Sequence, residues 1–229
     1  MNFKKKLGLR FKTFYKKNFR RFHGLKNIDQ KMLEYLNYDN GFFVELGAHD
    51  GIHNSNTFFY EKQKFWKGIL IEPSFNFELL KKNRSKYNKF FNCACSEFET
   101  ENETILLNSD DYSICKNLVD EDYLKWHLNK QIQAGKVMKE TKVKLRTLNS
   151  LLIEADAPKL IDFFSLDVEG MELNVLKGID FQKYNFKFLV IECASEKKFL
   201  KILTFLKIKK YEYIKKITEW DYLFRFEKT

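Results

Sequence analysis

A Rossmann-like α/β fold, a mostly parallel sheet with an antiparallel hairpin at its C-terminal end, is predicted by three features of this chain. An apolar run over 42–46, rich in strand formers, carries Glu45 and opens into Gly47-Ala48-His49-Asp50-Gly51. Further on, Gly68-Ile69-Leu70-Ile71-Glu72-Pro73 repeats the theme of an apolar strand tipped by an acid. Strand and helix patterns then alternate until the tail, where 211–217 and 222–226 read as two antiparallel strands around a polar turn.

Taken in order, 28–36 has helical spacing and leads into strand 41–46, the glycine loop, a helix near 55–63 and strand 67–72. A helix with a solvated basic face fits 75–87. A third strand fits 90–95, which would point Cys93 and Cys95 to one face. Short strands at 104–107 and 142–148, then a helix to Ala155, precede strand 161–166. Asp167-Val168-Glu169-Gly170 forms its terminal loop, a helix begins over 171–176, and strand 186–191 ends at Glu192.

Strand tips of this kind build nucleoside-cofactor sites. Gly47 lets the backbone come close to a ligand, and Glu72 is placed to accept hydrogen bonds from a ribose diol. A dinucleotide fingerprint would read G-x-G-x-x-G, with phosphate on the helix N-terminus. Here the acids Glu45 and Asp50 accompany Gly47 and Gly51, and carboxylates repel a pyrophosphate. They suit a cofactor that carries an ammonium and a sulfonium. S-adenosyl-L-methionine therefore fits the loop better than NAD.

The chain of 229 residues accommodates one full domain with a terminal extension. Its four cysteines show no C-x-x-C pair and no histidine at metal spacing, so they read as buried reduced thiols of a cytoplasmic protein rather than a zinc site. The net charge of +10 is contributed entirely by residues 1–26, which hold ten Lys and Arg and no acid. The remainder, 27–229, is neutral, which argues against a nucleic-acid partner. Phe3, Leu7, Phe11, Phe14, Tyr15, Phe19 and Phe22 recur at helical steps in the same arm. The expectation is a basic amphipathic helix that either lies on an anionic membrane surface or packs against the domain. No apolar run long enough for a signal peptide or a membrane span is present.

The motifs Val44-Glu45-Leu46-Gly47-Ala48-His49-Asp50-Gly51, Asn54-Ser55-Asn56-Thr57, Ile71-Glu72-Pro73, Arg146-Thr147-Leu148 and Leu166-Asp167-Val168-Glu169-Gly170-Met171-Glu172 occur in one order. Together they resemble the FkbM family of S-adenosylmethionine-dependent methyltransferases, over roughly 41–226. His49 departs modestly from that pattern, standing where many relatives have Asn. The resemblance implies a class I methyltransferase fold and methyl transfer to a hydroxyl, often on sugars or natural products. It implies that Glu45, Gly47, Ala48 and Gly51 line the methionine end and the ribose. Asp50 either holds the ammonium or caps the following helix. Asn54, Ser55 and Asn56 sit where that helix begins, as caps with a secondary ligand role. Cys95 and Ser96 border the adenine.

Methyl transfer is an in-line displacement, and an alcohol is a poor nucleophile until its proton is accepted. Asp167 is expected to be the base or to orient the acceptor, with Glu169 beside it; an acid in Glu169's position also favours the helix dipole. These two, joined by Glu192, could hold a divalent cation, although carboxylates alone fix no coordination geometry. Residues 108–141 fall outside the shared motifs and read as an acceptor-side insert carrying Asp110, Asp111, Tyr112, Trp126 and His127. Tyr112 and Trp126 could stack on a sugar. His127 reads as a solvent-exposed histidine, an alternative base being the sharper reading. The function expected is an O-methyltransferase acting on a cell-surface glycan or its lipid-linked precursor, cytoplasmic and peripheral on the inner face of the membrane. The alternative is an inactive membrane-associated binding module of the same fold.

Overall fold

The computed structural model describes residues 21–109 and 112–227. Most of the basic arm, together with Asp110 and Asp111, lies outside the described residues.

Among the described residues, seven strands form one sheet: β1 (Phe42–Leu46), β2 (Lys67–Ile71), β3 (Lys89–Phe91), β8 (Leu160–Leu166), β9 (Asn185–Glu192), β10 (Tyr211–Lys216) and β11 (Asp221–Phe226). Their order is β10-β11-β9-β8-β1-β2-β3. The five strands from β9 to β3 are parallel, and β11 runs antiparallel to both β9 and β10. Strand order reverses beside β1, so the crevice at the carboxyl ends of β1, β2 and β8 is the place where an open α/β sheet binds its ligand.

Side-chain alternation along β1 and β2 explains why both faces are covered. Val44, Leu46, Ile69 and Ile71 enter one apolar layer, completed by α6 (Leu148–Glu154), α7 (Glu172–Lys177) and α8 (Glu196–Ile208). Phe43 and Leu70 enter the opposite layer, with α1 (Ile28–Lys31), α2 (Leu33–Leu36), α3 (Phe58–Lys64) and α4 (Phe77–Asn83). The helix expected over 28–36 is thus two short helices meeting at Met32.

The expected strand 90–95 is divided. β3 ends at Phe91, and β4 (Ala94–Ser96) pairs instead with β7 (Lys139–Thr147) in a second sheet of order β4-β7-β5-β6. The break is fastened by Asn92, which donates to the backbone carbonyl of Glu72. β5 (Thr100–Asn108) and β6 (Ser113–Cys115) complete this small sheet, and α5 (Glu121–Gln133) follows, capped by Asp120. Residues 108–141 thus supply the edge strand β6, helix α5 and the start of β7 to a sheet that begins at β4.

Residues 21–26 pack on the body. Phe22 sits 4.7 Å from the Phe59 ring, and the His23 amide donates to Asp29. The four cysteines are free and buried. No described helix is long and apolar enough to cross a membrane.

Candidate active site

A cleft opens at the carboxyl ends of β1, β2 and β8, with the small sheet as its far wall. Gly47, His49, Asn54, Glu72, Asp167 and Glu169 line one side; Cys93, Cys95, Leu106 and Cys115 supply an apolar face. Backbone hydrogen bonds lock the three strand tips together. Gly47 and Ala48 both donate to Ile71, and Asp167 donates to Leu46. Gly47 has φ +86°, and a Cβ there would be driven into the Asp167 carbonyl. Glycine is required at this position by the neighbouring strand as well as by the turn.

Glu72 is buried, and each carboxylate oxygen accepts one amide at 2.8 Å, His49 N–H on one and Ser74 N–H on the other. Two bonds fix its orientation and leave acceptor capacity for a diol, since a carboxylate has about four lone-pair sites. Asn54 lines the same cleft from a left-handed backbone, φ +57°. Cys95 lies on the apolar wall, where burial and the neighbouring Cys93 keep its thiol protonated; Cys93's hydrogen bond is the larger cause.

Other expected ligands stand elsewhere. Glu45 follows Phe43 on one face of β1 and is buried, so its charge must be satisfied internally. It accepts from the Ser55 and Thr57 hydroxyls, the Asn56 amide and, at 3.2 Å, the Arg84 guanidinium. Arg84 also pairs with Glu61 at 2.7 Å. Glu45 and Ser55 thus belong to a closed ion-pair network under the loop and not to the cleft wall. Ala48 packs into the apolar layer with α1–α4. Gly51 (φ +81°) is held against Leu80 and Arg84, each 2.7 Å from where its Cβ would be. The cause in each case is that the loop between β1 and α3 must itself be buried, which claims these residues for packing.

Asp50 also lies off the cleft wall and accepts the amides of Ile52 and His53. Burial opposes its charge, but bonds from His49, His53 and Ile52 prevail and hold its carboxyl well below the usual range. This is the capping geometry. Ser96 is fully buried behind Cys95, outside the cleft lining.

On the same side of the cleft, oxygens of Asp167 and Glu169 lie with one of Glu192 within 4.8 Å of one another. Unit charges at that separation repel by about 3 kcal/mol at an effective dielectric of about 20. The charge of Asp167 and then burial drive the Glu192 carboxyl far above its ordinary value. Burial, with Asp167 and Glu172 adding repulsion, raises Glu169 to about 8. Glu169 adopts φ +51°, and its carboxylate accepts Tyr123 Oη at 3.2 Å.

His127 was expected in solvent and is instead 1% exposed, packed among Tyr112, Tyr123 and Trp126. Its Nδ1 is 3.9 Å from Glu169 Oε2. Burial, and secondarily Lys130, lower its pKa. The correction has a readable cause: with Tyr123, His127 and Gln131 spaced four apart, one face of α5 closes over the acid loop. Trp126, on the neighbouring face, is 54% exposed beside Tyr123, Lys197, Lys198 and Lys201.

Residues 45–214 match the family described as methyltransferase FkbM domain. The chain belongs to the FkbM methyltransferase family. It is a methyltransferase built on a mostly parallel α/β sheet, and members of such a family generally draw their methyl group from S-adenosylmethionine. Among solved structures, this chain is similar to precorrin-6y C5,15-methyltransferase from Geobacter metallireducens GS-15, at 12% identity and TM-score 0.43, covering 89% of this chain and 93% of that one. It is also similar to the METTL16 MTase domain, at 12% identity and TM-score 0.46, covering 88% of this chain and 67% of that one. No curated protein matches this sequence.

Proposed function

We propose that this methyltransferase binds S-adenosylmethionine in the cleft at β1, β2 and β8 and methylates a hydroxyl of a sugar, in a cell-surface glycan or its lipid-linked precursor. The observation that carries the reading is the convergence of Gly47, Glu72 and Asp167, from three strands, on one cleft. Bound there, the cofactor supplies an electrophilic methyl on sulfonium.

Glu72 accepts the ribose diol, and the wall of Cys95, Leu106 and Cys115 suits an adenine face. The acids around Asp167 suit the acceptor side. The cofactor held there would give up its methyl group to the acceptor oxygen and would keep the carbon–sulfur electron pair as a neutral thioether. The hydroxyl proton passes to the Asp167 or Glu169 carboxylate. The exposed Trp126 and the lysines near it provide an aromatic face and positive charge for a sugar that carries an anionic group. The basic arm, residues 1–26, would keep the enzyme at an anionic membrane where a lipid-linked acceptor resides.

Calorimetric titration with S-adenosylmethionine tests the cofactor assignment. One site of micromolar affinity is expected, and no heat at high micromolar cofactor would defeat the reading. For the acceptor, surface glycans from cells lacking the protein should be lighter by one CH2 at a sugar oxygen. Unchanged glycan masses would remove the proposed substrate class.

A further inference from the structure

More carboxyl groups gather beside the cleft than proton abstraction requires. One carboxylate suffices as a base, yet three converge within 4.8 Å, from the tips of two adjacent strands and the loop between β8 and α7. A second observation is independent of the acids. His127 is 98% buried at its side chain, neither ring nitrogen has a hydrogen-bond partner among the described residues, and Nδ1 faces Glu169 Oε2 at 3.9 Å. A desolvated imidazole left unpaired beside a carboxylate cluster is a costly arrangement unless something draws the two together. An ion in the cluster would do so.

We propose that Asp167, Glu169 and Glu192 form a divalent-cation site of the Mg2+ or Mn2+ type on the acceptor side of the cleft, with His127 as the outer hydrogen-bond donor that orients Glu169. Oxygen donors alone favour a hard ion. A small hard ion would need these oxygens closer together than the 4.8 Å limit within which they now lie, so binding would draw the cluster inward. Tyr123, already donating to Glu169, and His127, moving into range, then hold the ligating carboxylate from behind. Three protein ligands leave positions open for the acceptor. The site therefore selects a molecule with two neighbouring oxygens, such as a vicinal diol of a sugar or a hydroxy acid. The ion lowers the acceptor hydroxyl's pKa, so its proton leaves to solvent or a free carboxylate oxygen before the carbon–oxygen bond forms and the carbon–sulfur bond breaks.

This assignment rests on the methyltransferase reading, but its test does not need turnover. Mn2+ is titrated into the full chain and free ion followed by electron paramagnetic resonance, with no cofactor or acceptor present. The wild type should take up one equivalent in the micromolar range. Glu192→Gln and Asp167→Asn should bind roughly tenfold or more weakly, and Glu78→Gln, altering an exposed acid on α4, should bind as the wild type does. Thermal melting of each variant certifies its fold, and a rise in wild-type melting temperature with Mn2+, reversed by EDTA, gives a reading independent of any substitution. No uptake by wild type at millimolar Mn2+, or wild-type affinity in a folded Glu192→Gln, overturns the site. S-adenosylmethionine binding in EDTA is measured on the same protein, so loss of the ion site leaves the cofactor reading standing, and loss of cofactor binding leaves the ion site to be judged alone.

Discussion

Glu45 and Glu72 stand on neighbouring strands at the same edge of the sheet, yet their surroundings assign them different work. Glu72 keeps unused acceptor capacity at the cleft, and Glu72→Ala should weaken S-adenosylmethionine by tenfold or more in calorimetry while the protein still melts cooperatively. Glu45 spends its oxygens on Ser55, Asn56, Thr57 and Arg84. Removing the guanidinium leaves both Glu45 and Glu61 as buried charges without it, so Arg84→Met should cost about 3–5 kcal/mol in urea unfolding. Asp50 gives a pH signature. Its carboxyl is depressed in the folded protein, so its stabilisation is fully present above the unfolded value near 3.9 and is lost as pH falls toward the folded one. An Asp50→Asn protein keeps an acceptor at the cap but no charge. It should be less stable than wild type at pH 7, and the gap should shrink below about pH 4.

At the scale of elements, the parallel core was legible because each of its strands is an apolar run ending at a polar tip. The strands around Glu45, Glu72, Asp167 and Glu192 appear within a residue or two of where the sequence puts them. The division of 90–95 was not legible. Phe90 to Cys95 is an apolar run broken only at Asn92, as a single strand can be, and the bond from Asn92 to Glu72 and the partnership with β7 that divide it are long-range. Helix α8 had a signal, Ser195 as cap and Phe199, Ile202 and Leu206 at helical steps, that the strand-centred reading passed over. Glu45, Ala48, Gly51 and Ser55 mark the loop in the sequence, but their burial is a tertiary property that spacing does not carry. His127 is the same lesson in reverse. A prediction follows from the coupling of β1 to β8: Gly47→Ala must displace the Asp167 carbonyl, so cofactor affinity and stability should fall together, by about 1–3 kcal/mol in unfolding.

For the whole molecule, charge is divided along the chain: the arm is basic and 27–229 is neutral. Phe22 and His23 already belong to the body, so a clean truncation removes residues 1–20 and keeps the Phe22–Phe59 contact. The shortened protein should retain its melting temperature but no longer sediment with vesicles rich in phosphatidylserine, while the full chain sediments at low salt and releases at high salt. Equal sedimentation of both forms would dismiss the membrane role.

The cysteines on the cleft wall have a practical consequence. Cys93, Cys95 and Cys115 converge there from β4, β6 and the turn before β4, and burial raises Cys115 to about 12. Such sulfhydryls are sluggish towards alkylating agents at neutral pH. Whatever slow labelling they do undergo is governed by access through the mouth of the crevice, so iodoacetamide incorporation, counted by mass spectrometry, becomes a gauge of occupancy that needs no knowledge of the acceptor.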